Sequence, residues 1–162
     1  MLIVLGGLPG TGKTTIARAL AKRLGAVHVR IDTIEQALRS AGREVGPAGY
    51  VIGYAVTADN LRLGRSVIAD SVNPVPATRD AWRAVGERAA VKVVEVELIC
   101  SDKAAHRDRV ETRSTDIEGL QLLTWQAVVE RDYEPWSRPR VVLDTARKSV
   151  EEAIAELMVS LA

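Results

Sequence analysis

Gly7-Leu8-Pro9-Gly10-Thr11-Gly12-Lys13-Thr14 fits the pattern GxxxxGK[ST] in full, and its flanks fit as well. Leu2-Ile3-Val4-Leu5 runs into it as a short apolar strand, and Ile16, Ala17, Leu20, Ala21 and Leu24 follow it as a helical stripe. The chemistry of a phosphate requires these residue types. Glycine admits backbone angles closed to other residues, so successive N–H groups can converge on one anion. The following helix adds the positive end of its dipole. Lys13 supplies a mobile charge to the β- and γ-phosphates, and the Thr14 hydroxyl is a ligand for Mg²⁺. The expected cofactors are therefore ATP and Mg²⁺, with Gly7 through Thr14 and the adjoining Thr15 as the nucleotide-binding run.

Outward from the loop, short β-branched runs alternate with longer amphipathic segments, the pattern of an α/β protein with a parallel sheet. The expected strands are Leu2–Leu5, Ala26–Ile31, Ser66–Asp70, Val91–Ile99 and Arg140–Leu143. Helices are expected over Thr33–Ser40 and Ala48–Leu63, from Pro74/Pro76 to about Arg88, and after Ser149-Val150-Glu151-Glu152, which reads as a capping box. Ser114, Thr115, Asp116 and Gly119 make Arg113–Gly119 the most loop-like stretch of the second half, a candidate mobile lid set within roughly residues 107–123.

A chain of 162 residues without repeats or linkers fits one domain. A net charge of +1 offers no bulk attraction to nucleic acid or anionic membrane. Its positive residues are 17 Arg against 5 Lys, which suits bidentate phosphate contacts and equally suits a GC-rich genome. Cys100 is single, so no intramolecular disulfide forms, and it reads as a small buried residue. No apolar run is long enough for a membrane span or a secretory leader, and the expected location is cytoplasmic. His28 reads as a core strand residue and His106 as exposed; no Cys/His cluster favours zinc.

In open parallel sheets, ligands gather at the C-terminal ends of strands, where Asp32 and Asp70 fall. Asp32 is placed to orient an acceptor hydroxyl and take its proton, or else to cap the helix at Thr33. Asp70 resembles a Walker B carboxylate for the metal, or else fixes the turn into Ser71–Pro74. The two roles are interchangeable at this stage. Arg107, Arg109 and Arg113 share one expected helix; Arg109 and Arg113 lie on one face, ready to close over a transferred phosphate, and Arg107 points away. Arg30, Arg43, Tyr50, Tyr54, Arg79 and Trp82 either line an acceptor pocket or pack the core.

These residues together resemble the small P-loop kinases that include zeta toxins, chloramphenicol phosphotransferases and the kinase domain of polynucleotide 5′-kinases. The resemblance rests on the GLPGTGKTT loop, Asp32, the run Asp70-Ser71-Val72-Asn73-Pro74 with Arg79 and Trp82, and Cys100-Ser101 leading to the lid arginines. It implies a three-layer P-loop NTPase fold with a five-stranded parallel sheet of order 2-3-1-4-5. It also implies a base on the acceptor hydroxyl at Asp32, lid arginines on ATP, and a nucleobase near Asp144-Thr145-Ala146, which adds Thr145 to the nucleotide site. The chain lacks the Gly-Asp-x-Leu-His segment of gluconate kinases, and its near-neutral charge argues against the basic single-strand channel that polynucleotide kinases need. The expected activity is transfer of the γ-phosphate of Mg·ATP to a hydroxyl of a small acceptor: a sugar, nucleoside or antibiotic, with a nucleic-acid end less favoured. A nucleotide monophosphate kinase, using Arg30, Arg43 and Arg79, and a non-catalytic ATP-binding regulator remain the alternatives.

Overall fold

A computed structural model describes residues 1–161. Its strands are β1 (Leu2–Gly6), β2 (Val27–Arg30), β3 (Val67–Asp70), β4 (Val93–Ile99) and β5 (Val141–Asp144). Its helices are α1 (Lys13–Leu24), α2 (Ile31–Ser40), α3 (Ala48–Arg62), α4 (Pro76–Arg88), α5 (Lys103–Thr112), α6 (Trp125–Val129) and α7 (Val150–Leu161). All strand pairings are parallel, in the order β2-β3-β1-β4-β5, which is the P-loop NTPase fold.

Strand alternation sends two sets of side chains to opposite faces of the sheet. Ile3, Leu5, Ile68, Val96, Leu98 and Leu143 pack against α1 and α7. Leu2, Val4, Val29, Val67 and Ala69 pack with Leu61 of α3 and Trp82 and Val85 of α4. β1 is buried at every position, as a central strand covered on both faces must be. α7 begins with the reciprocal capping box: the Ser149 N–H donates to the Glu152 carboxylate (2.8 Å) and the Glu152 N–H to the Ser149 hydroxyl (3.2 Å). Among the described residues, no helix is long and apolar enough to cross a membrane.

Three local expectations are corrected. α2 starts at Ile31, directly after β2, so Asp32 lies inside its first turn and makes no side-chain cap. α5 ends at Thr112, and Arg113 is an extended residue just beyond it instead of a third arginine on one helix. His106 is buried: its Nε2 is 2.8 Å from the Pro9 carbonyl and its ring meets Trp125 edge-on. α6 shows no helical period in its five residues and was not anticipated. Thr124 caps it, accepting from the Ala127 N–H, and Val128 seats it in the core.

The segment after α6 forms a strap across the α4 face of the sheet. β4 presents Glu95 and Glu97 on that face, both buried. Arg138 pairs with Glu95 and Asp80, Arg140 with Glu97, and the Tyr133 hydroxyl donates to Glu97 (3.1 Å). Burial pushes the Tyr133 phenol up to about 12, with the Glu97 carboxylate adding to the shift and the Trp136 indole N–H opposing it. Trp136 packs on the end of β1 so closely that a Cβ on Gly6 would lie 2.6 Å from its ring.

Candidate active site

The P loop leaves β1 at Gly7, whose φ of +137° belongs to glycine, and a Cβ there would lie 2.2 Å from the Leu98 carbonyl. α1 then opens with a left-handed Gly12, no capping side chain and no acidic residue in its first turn. Its leading N–H groups therefore have no partner from a side chain of their own helix. Two threonines brace the loop from behind. Thr11 donates to the Leu8 carbonyl (2.8 Å), and Thr145 donates to the Thr11 carbonyl (3.0 Å). Arg109 grips Thr145 with two bonds, 2.9 Å to the hydroxyl and 2.8 Å to the carbonyl, so α5 is tied to the end of β5.

A cavity of about 970 Å³ opens in front of the loop. Of the residues the sequence points to, Pro9, Gly10, Gly12, Lys13, Thr14 and Thr15 line it from the loop, and Asp32, Arg109 and Arg113 from around it. Gly7, Leu8 and Thr11 line a small separate recess of about 140 Å³ on the loop's other side. Asp70 and Thr145 are buried behind the cavity wall.

Lys13 is 9% exposed and donates to the Leu8 carbonyl (3.0 Å). Burial lowers its pKa to about 8; the charges of Asp70 and Asp32 partly offset this, and Arg113 and Arg131 add to it. Burial alone would raise the Asp70 carboxyl. The hydrogen bond from His28 (3.1 Å), the Lys13 charge and the Thr14 hydroxyl outweigh it and hold Asp70 below the usual carboxylate range. Asp70 thus faces the loop and makes no bond to the turn that follows it. Arg113 is half-buried with its Nε unpartnered; burial lowers its pKa and the Asp32 charge opposes that. Asp32 stands exposed at the cavity edge, one helical turn before Glu35, which also lines the cavity. Burial raises the Glu35 carboxyl, against the charge of Arg39, which binds it at 3.3 Å.

The proposed acceptor residues divide. Arg30 lines the cavity and pairs with Asp116 of the loop 113–124 (2.9 Å). Arg43 is exposed and outside it. Tyr50 and Tyr54 do share a face, with rings 6.0 Å apart, but they pack: Tyr54 meets Trp82 edge-on and the Tyr50 hydroxyl accepts from the Asn73 N–H (3.2 Å). Trp82 is wholly buried. Arg79 is 2% exposed and bound to backbone carbonyls of the strap, away from the cavity. The Arg30–Arg43–Arg79 set is therefore not assembled. Arg107 is exposed and pairs with Glu111. Sequence reading missed Glu35, Gln36, Arg39 and Arg131 as cavity residues. For the first three, the i, i+3, i+4, i+7 spacing from Asp32 along α2 was the available signal; Arg131 had none.

Residues 2–131 match the family described as AAA domain. A probable adenylyl-sulfate kinase of Aeropyrum pernix is 28% identical over 167 aligned residues, covering 97% of this chain and 90% of that one. A putative kinase from Chloroflexus aurantiacus superposes with a TM-score of 0.74 at 20% identity, over 99% of this chain and 98% of that one. The Mycobacterium tuberculosis APS kinase in complex with AMPPNP and APS gives 0.71 at 17% identity, over 99% and 96%.

Proposed function

The chain belongs to the AAA domain family, and from that premise we propose that it is an ATP-dependent phosphotransferase acting on a hydroxyl of a small acceptor. The observation that carries this reading is one cavity holding the P-loop lysine, a half-buried arginine and an exposed carboxylate together. The kinase relatives that cover nearly the whole chain support it. The N–H groups opening α1 and the Lys13 ammonium bind the triphosphate. Thr14 and Asp70 fit a hard divalent cation: both offer oxygen, and Asp70 stays ionised despite burial. Magnesium held there would offset charge on the β- and γ-phosphates.

Asp32 orients the acceptor hydroxyl and takes its proton as the new O–P bond forms and the bond to the ADP oxygen breaks. Arg113 follows the charge that spreads over the transferred group. The loop 113–124 serves as the lid, and Arg109 holds the nucleotide end of the cavity through Thr145.

The test is ATP consumption with sugars, nucleosides and hydroxylated antibiotics, for the wild type and Asp32→Asn. An acceptor should raise the rate well above hydrolysis, and Asp32→Asn should lower acceptor-dependent turnover about a hundredfold or more. Unchanged transfer by Asp32→Asn would remove the base; no acceleration by any acceptor would favour a regulator that binds ATP without transfer.

A further inference from the structure

We propose that the acceptor carries an oxyanion besides its reacting hydroxyl, and that Arg131 is the residue that reads it. The inference rests on the phosphotransfer reading and deepens it by naming a substrate class.

Six basic side chains line the cavity, Lys13, Arg30, Arg39, Arg109, Arg113 and Arg131, against two carboxylates, Asp32 and Glu35. Most of the positive charge is already committed. Arg30 is held by Asp116 and Arg39 by Glu35. Arg109 spends both terminal nitrogens on Thr145. Lys13 and Arg113 stand at the phosphate end beside the P loop. Of the six, Arg113 and Arg131 make no side-chain hydrogen bond or ion pair among the described residues; with Arg113 given to the transferred phosphate, Arg131 is the one left for the acceptor.

Its place in the fold decides which ligand it meets. The sheet order puts the P loop at the centre, with Arg109 and Thr145 on the β4–β5 side and Asp32, Glu35 and Arg39 on the β2–β3 side. Three residues beyond Arg131 the Glu134 N–H is bonded to Pro74 in the turn after β3, and the Arg131 charge is felt at Glu35 on α2 and Tyr50 on α3 as well as at Lys13, so Arg131 borders both the P loop and the β2–β3 side of the cavity. Its backbone is fixed from both directions. Val128 of α6 is fully buried three residues before it, and two and three residues after it Tyr133 is bonded to Glu97 and the Glu134 N–H to the Pro74 carbonyl (2.8 Å). A guanidinium on a fixed backbone, exposed in the cavity that Asp32 also lines, fits a ligand with a hydroxyl at one end and a phosphate, sulfate or carboxylate at the other.

Two measurements test this. In the first, ATP consumption is compared for matched pairs: glucose with glucose 6-phosphate and with gluconate, and adenosine with adenosine 5′-monophosphate. The charged member of at least one pair should accelerate turnover tenfold or more beyond its neutral partner, and the phosphate and carboxylate arms separate the two anion chemistries. Neutral members that work equally well would overturn the proposal and leave phosphotransfer standing. In the second, sulfate is titrated into protein saturated with AMP-PNP and Mg²⁺, so that the P loop is filled. Wild type should bind sulfate, Arg131→Ala at least tenfold more weakly, and Arg131→Lys in between. Equal affinities, or no binding by the wild type, would overturn the assignment even if every acceptor in the first measurement fails.

Discussion

Lys13 bears a cost that its position imposes. An ammonium buried behind a P loop is poorly solvated, and its pKa falls from 10.5 to about 8. Between those values the unfolded chain binds a proton that the folded chain has lost, so stability rises with pH across that window. The contribution is on the order of 3 kcal/mol. We therefore expect the nucleotide-free protein to gain stability over Lys13→Met as pH rises from about 8 to 10.5, read by urea unfolding of the two proteins side by side. At pH 7 Lys13→Met should be the more stable of the two while failing to bind ATP. A difference that stays constant with pH would show that the lysine is better solvated than its burial implies.

Elements differ in how far sequence alone specifies them. The capping box of α7, the extent of α3 and the strand before the P loop were readable because each signal is local: a cap, a period or an apolar run. The first turn of α2, the burial of His106 and the short α6 were not, since each is set by contacts from distant segments. The loop 113–124 is of the second kind. Asp116 is bonded by Arg18 of α1 and by Arg30 at the end of β2, and these bonds pull its carboxyl down to about 2. That latch is present above the ordinary carboxylate pKa and is lost as pH falls through about 2. Exposed ion pairs add little to global stability. Asp116→Ala should therefore leave Tm within about 2 °C, while amide exchange in residues 113–121 speeds severalfold and KM for ATP rises. Unaltered exchange there would mean that something else holds the loop.

At the scale of the whole molecule, Arg79 joins parts that sequence reading kept separate. The sequence leaves it open whether Arg79 lines an acceptor pocket or packs the core, and arginine is seldom buried. It sits under the strap, donating to the carbonyls of Asn73 (2.8 Å), Pro74 (3.1 Å), Glu134 (2.6 Å) and Pro135 (3.2 Å), with its guanidinium 4.4 Å from the Trp136 ring. One side chain thus ties the turn after β3 to the segment that carries Arg131, and Trp136 of that segment rests on Gly6 at the root of the P loop. Methionine fills similar volume but leaves all four carbonyls without that donor in a dry site, a loss of about 3 kcal/mol. Arg79→Met should lower the unfolding free energy by roughly that amount, and Arg79→Lys should recover less than half, because an ammonium cannot reproduce the planar fork. Since the strap also positions Arg131, the affinity of the nucleotide-loaded protein for sulfate should fall in both variants, although Arg79 lies outside the cavity. Loss of stability with unchanged sulfate affinity would show that the strap and the acceptor side of the cavity are mechanically independent.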